Sequence, residues 1–100
     1  MRAKITSFLS AWVSVYYCMP TIFRFNGLRI VIYPNDHRPA HVHVKGGGGE
    51  AVFLLHCPEG PSELRESYGF KLYELNDIET TINGQLTNLC VEWSSHHGNY

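Results

Sequence analysis

The run Thr21–Tyr33 (TIFRF-NG-LRIVIY) constrains the fold more than any other stretch. Two β-rich segments are split by Asn26-Gly27, and a two-residue type I′ turn needs positive φ at both positions, which Asn and Gly tolerate best. A loop of that length sets the register: Phe25 faces Leu28, Arg24 faces Arg29, and Phe23 faces Ile30. Alternation then places Phe23, Phe25, Leu28, Ile30 and Ile32 on one face, the candidate core. Arg24 and Arg29 land together on the other face, although like charges directly opposite each other cost stability.

Downstream, Pro34, Asn35, Asp36, Arg38 and Pro39 are turn formers. His41-Val42-His43-Val44-Lys45 follows as a short alternating strand. With Val42 and Val44 inward, His41, His43 and Lys45 share the opposite face. Gly46–Gly49 reads as a flexible turn, and no Gly-Lys-Ser/Thr follows it to make a phosphate-binding loop. Glu50–Leu55 is another strand, with either Ala51, Phe53 and Leu55 or Val52 and Leu54 facing inward. Residues 57–68 (CPEGPSELRESY) read as a connection, within which Glu63–Glu66 can begin a strand or a helical turn. Leu72, Leu75, Ile78, Ile82, Leu86, Leu89 and Trp93 then step by three or four, the stripe of one helix from about Leu72 to His96. Gly84 inside it costs about 1 kcal/mol against alanine. The expected architecture is α+β: an antiparallel sheet of three to four strands with one long C-terminal helix packed on one face.

At 100 residues the chain has room for one small domain. The net charge of -1 removes any bulk electrostatic case for nucleic acid or membrane, so a basic surface has to be local. Residues 1–18 are too short and too polar for a spanning helix. They are expected to be an added extension, frayed or packed as an extra strand around Trp12–Tyr17. Cys18, Cys57 and Cys90 are odd in number, with no C-x-x-C pair. They are read as reduced thiols, which points to the cytoplasm.

Two constellations carry chemistry. His41-x-His43 on a strand sets two imidazoles on one face, about 6–7 Å apart along the chain. Such a pair can chelate zinc or another divalent metal if a third ligand arrives, with His37, His56, His96, His97 and Asp36 as candidates. The plainer alternative is a pair of half-exposed histidines hydrogen-bonded to the preceding turn, with no cofactor. The second constellation is the outer sheet face, where Arg24, Arg29, Tyr33, His41, His43 and Lys45 suit an anionic partner. A solvated face is the plainer account of that one.

Taken together, several landmarks resemble a family of short, mostly bacterial proteins, the domain of unknown function 4160. They are Met19-Pro20-Thr21-Ile22, Pro39-Ala40-His41-Val42-His43-Val44, Glu50-Ala51-Val52-Phe53, Tyr68-Gly69-Phe70, Glu74-Leu75, Ile78-Glu79, and Leu89 with Trp93. The resemblance implies one family-like domain over residues 19–97 and a short tail at 98–100. Lys71, Asn83-Gly84 and the long glycine run depart from the family pattern. The family brings no activity with it, but its members resemble partners in toxin–antitoxin-like gene pairs. The leading expectation is therefore a non-catalytic binding or regulatory module. Its partner would be a protein encoded nearby or a nucleic acid, without a membrane, and self-association is allowed. The alternative is a metal-dependent hydrolase or nuclease using His41 and His43.

Overall fold

In the computed structural model, residues 21–100 are described. The expected extension at residues 1–18 lies outside them. Five strands run in chain order, β1 (Thr21–Phe25), β2 (Leu28–Val31), β3 (His41–Gly46), β4 (Gly49–Leu54) and β5 (Glu63–Tyr68). They form one antiparallel meander in the order β1-β2-β3-β4-β5. Two helices follow, α1 (Leu72–Gly84) and α2 (Leu86–His97).

The first hairpin has the register that Asn26-Gly27 dictates. Both residues take positive φ, 49° and 77°, and Phe25 pairs with Leu28, Arg24 with Arg29 and Phe23 with Ile30. Gly47 and Gly48 close the second hairpin the same way, at φ 57° and 83°, which places Lys45 opposite Glu50. That register settles β4: Ala51, Phe53 and Leu55 face the core, and Val52 lies on the other side opposite His43. The core joins Ile30, Ile32, Val42, Val44 and Phe53 of the sheet region to Ile78, Ile82, Leu89 and Trp93 of the helices. The helices therefore cover the face that carries Phe23 and Ile30, as the alternation predicts.

Four expectations need correction. The sheet has five strands, because Glu63–Tyr68 pairs with β4, with one register shift at Arg65. All six of its residues are exposed, so no hydrophobic alternation marked it as a strand. The single long helix is two, divided at Gln85, whose φ of -112° and ψ of 14° leave the helical range. The Asn83-Gly84 pair lies just before this break. Asn83 turns its side-chain oxygen away from the helix to accept the Ser62 backbone N–H at 2.8 Å. Leu72, counted in the stripe, is 73% exposed. Finally, Cys57 and Cys90 are joined in a disulfide, with Cα atoms 5.7 Å apart across 33 residues of sequence. Nothing in the spacing of three cysteines showed that the fold would bring two of them together. The bond removes the cysteine-based reason for a reducing compartment.

No helix among the described residues is long and apolar enough to cross a membrane. Helix α1 begins with Glu74 Oε1 accepting the Lys71 N–H at 2.7 Å, so a reaching glutamate satisfies a free backbone donor at this end. At the other end of the helical region, the Tyr100 carbonyl accepts the Ala40 N–H at 3.1 Å. The last residue thereby lies against the segment that leads into β3.

Candidate metal centre and outer face

The strand period sends Val42 and Val44 into the core and turns His41 and His43 to the opposite side. Their ring centroids are 5.2 Å apart. The turn between β2 and β3 folds back over them and brings in Asp36. Its Oδ2 reaches back to accept the Tyr33 N–H at 2.9 Å, a bond that anchors the carboxylate. Oδ1 is left facing both imidazoles, 3.5 Å from His41 Nε2 and 3.3 Å from His43 Nε2. One potential ligand atom from each of the three residues lies within 4.8 Å of the other two. His41 is buried, and Asp36 and His43 are partly so.

Each imidazole is held by its surroundings. His41 Nδ1 donates to the Pro39 carbonyl at 2.9 Å, since a carbonyl can only accept. Its ring packs on Trp93, centroid to centroid 5.2 Å, and Trp93 packs in turn on His97 at 4.1 Å. The indole N–H of Trp93 donates to the Asn99 carbonyl at 2.7 Å. His43 stands edge-on to Tyr33 at 4.7 Å. Its Nδ1 is buried with no hydrogen-bond partner among the described residues, and Glu50 Oε2 stands 3.7 Å from it.

Of the proposed third ligands, only Asp36 joins the pair. His56 is instead bonded to Glu63 at 2.7 Å on the surface. His96 faces Glu92 at 3.9 Å on α2, and His97 lies beyond Trp93. Glu50 was not foreseen at this site. The Gly47-Gly48 turn held the signal, because a two-residue loop there forces Lys45 and Glu50 into register.

The outer face bears the expected cations in one cross-strand row. Arg24 pairs with Arg29, Arg29 with Lys45, Lys45 with Glu50, and Glu50 with Tyr68. Glu50 Oε2 lies 3.9 Å from Lys45 Nζ, and Lys45 sits over the Tyr33 ring, 5.2 Å from its centroid. Hydrogen bonding to the Tyr33 side chain is the main cause holding Lys45 above the ordinary lysine value, and the nearby Glu50 charge adds to it. No carboxylate among the described residues forms an ion pair with Arg24 or Arg29. Residues 1–20 contain no Asp or Glu to do so. Among the described residues, the histidine half of the face is thus compensated by Asp36 and Glu50, and the arginine half is not.

A five-stranded meander backed by two C-terminal helices, with a Pro-Ala-His-x-His segment at the centre of the sheet, defines a small α+β protein. The chain belongs to the family described as a domain of unknown function (DUF4160), whose model matches residues 27–94. No curated protein and no solved structure matches it.

Proposed function

We propose that this chain is a small non-catalytic binding module, one member of a two-protein regulatory pair of the toxin–antitoxin kind. It would engage an acidic segment of its partner through the outer sheet face. The observation that supports this reading is the row Arg24–Arg29–Lys45 crossing three adjacent strands. Like charges directly opposite in a sheet are destabilising, and among the described residues only the Lys45 end of the row meets a carboxylate. A partner that brings carboxylates to Arg24 and Arg29 relieves that repulsion on binding. It also gains charge-assisted hydrogen bonds from two guanidinium groups. Tyr33 and Tyr68, near the row, add aromatic surface of the kind enriched in interfaces. A net charge of -1 favours a local acidic protein segment over nucleic acid, which rewards an extended basic surface.

The test is co-expression with the product of the adjacent reading frame, followed by measurement of the mass and ultraviolet spectrum of the purified complex. The expected result is a protein heterocomplex that weakens with salt and is lost in the Arg24→Ala, Arg29→Ala double variant. Because the substitution removes a repulsion, the variant itself should be as stable as the parent or more so, by about 0.2–1 kcal/mol. Nucleic acid in place of protein, or a complex indifferent to both arginines, would overturn the reading.

A further inference from the structure

We infer that Asp36, His41 and His43 form a binding site for a divalent transition-metal ion of the zinc class. The inference is independent of the partner reading and rests on which atoms face one another. His41 spends its Nδ1 proton on the Pro39 carbonyl, so in the neutral ring the Nε2 atom carries a lone pair. That lone pair points at Asp36 Oδ1, 3.5 Å away, acceptor against acceptor in a largely buried place. His43 meets the same difficulty from the other side. If its Nε2 carries the proton toward Asp36 Oδ1, its buried Nδ1 is left with a lone pair and no donor, 3.7 Å from the Glu50 carboxylate.

A cation among the three residues resolves every one of these contacts at once. It takes the lone pairs of both Nε2 atoms and the charge of Asp36 Oδ1. The His43 proton then moves to Nδ1, where it faces Glu50. Each ring nitrogen not on the metal would have its own acceptor, the Pro39 carbonyl for His41 and Glu50 for His43. That is the outer-shell arrangement that orients imidazole ligands and raises their basicity. Asp36 is likewise held from behind by the Tyr33 N–H.

The spacing agrees. Zinc–nitrogen and zinc–oxygen bonds of about 2.0–2.1 Å place tetrahedral ligand atoms about 3.3 Å apart, against 3.3 and 3.5 Å from Asp36 Oδ1 to the two imidazoles. No pair of ligand atoms is more than 4.8 Å apart, so small side-chain rotations close the site. Two imidazoles and one carboxylate suit zinc and its first-row neighbours and do not suit calcium or magnesium, which prefer all-oxygen shells. Three protein ligands leave at least one coordination position free for water or a ligand atom from outside.

The probe is zinc alone, titrated by calorimetry into the full, untagged chain after chelator treatment, with folding followed by circular dichroism. One equivalent should bind and raise the melting temperature. Asp36→Asn keeps the size of the side chain and its acceptor for Tyr33, and should weaken zinc at least tenfold. His43→Gln, a partly exposed change that spares the packing of His41 on Trp93, should do the same. His96→Ala should leave binding unchanged. Absence of stoichiometric binding would overturn the assignment. So would affinity unaltered in both site variants while they remain folded, or loss of binding in the His96 variant.

Discussion

The Trp93 ring lies against His41, 5.2 Å between centroids, while its indole N–H holds the Asn99 carbonyl at 2.7 Å. One side chain of α2 thus joins the C-terminal segment to the histidine strand. Trp93 is fully buried, and truncating a buried tryptophan costs about 3–5 kcal/mol. Trp93→Ala should lose that much in urea melts, because it opens a cavity under His41 and frees the last residues. A loss below about 1 kcal/mol would mean that α2 does not depend on this contact.

The Cys57–Cys90 bond ties the segment after β4 to α2 across 33 residues of sequence. By loop-closure entropy, a link over that length restrains the unfolded chain by about 3–4 kcal/mol. The oxidised protein should melt well above the reduced protein, and a Cys57→Ser, Cys90→Ser double variant should match the reduced form. Equal melting temperatures with and without reductant would show that the bond adds nothing to stability.

Lys45 provides the pH prediction. Its pKa is raised above the ordinary lysine value of 10.5 chiefly by hydrogen bonding to the Tyr33 side chain. The folded protein therefore holds this proton more tightly than the unfolded chain does. The associated stability is fully present below the ordinary lysine value and is lost as pH rises through the higher folded value. Tyr33→Phe keeps the ring beneath the ammonium and removes the hydroxyl. It should lower the Lys45 titration midpoint toward the ordinary value, as read by NMR of the lysine side chain. An unmoved midpoint would assign the effect to the aromatic face or to Glu50 instead.

The first hairpin could be read from the sequence because two adjacent signals, the Asn26-Gly27 turn and the alternation around it, specify the same register. The histidine face was readable for the same reason, since a period of two leaves no choice once Val42 and Val44 go inward. β5 was only half readable: Glu63–Glu66 was open to a strand or a helical turn, and nothing in the sequence chose between them. Glu63, Leu64, Glu66, Ser67 and Tyr68 pair with β4 around a register shift at Arg65, and an edge strand exposed on both faces leaves no side-chain pattern to find. The helix break was half visible in Asn83-Gly84. The stripe continues across it because Ile82 and Leu89 are both buried on either side of Gln85. Asp36 was one of several third ligands in the sequence, and choosing it required knowing that the turn folds back over the strand. The disulfide is a tertiary fact with no local signature.

β5 has one further consequence. With β4 on one side, its other flank has no strand partner among the described residues, which leaves a line of backbone donors and acceptors at the border of the sheet, a template for strand-to-strand addition. Leu64 and Tyr68 are exposed along it, 38% and 66%, which makes the border adhesive as well as open. Glu63, Arg65 and Glu66 act as gatekeepers: a strand docking there must align with charges of both signs. Replacing all three with threonine would keep the β propensity while removing that guard. That triple variant is therefore expected to self-associate more readily than the parent.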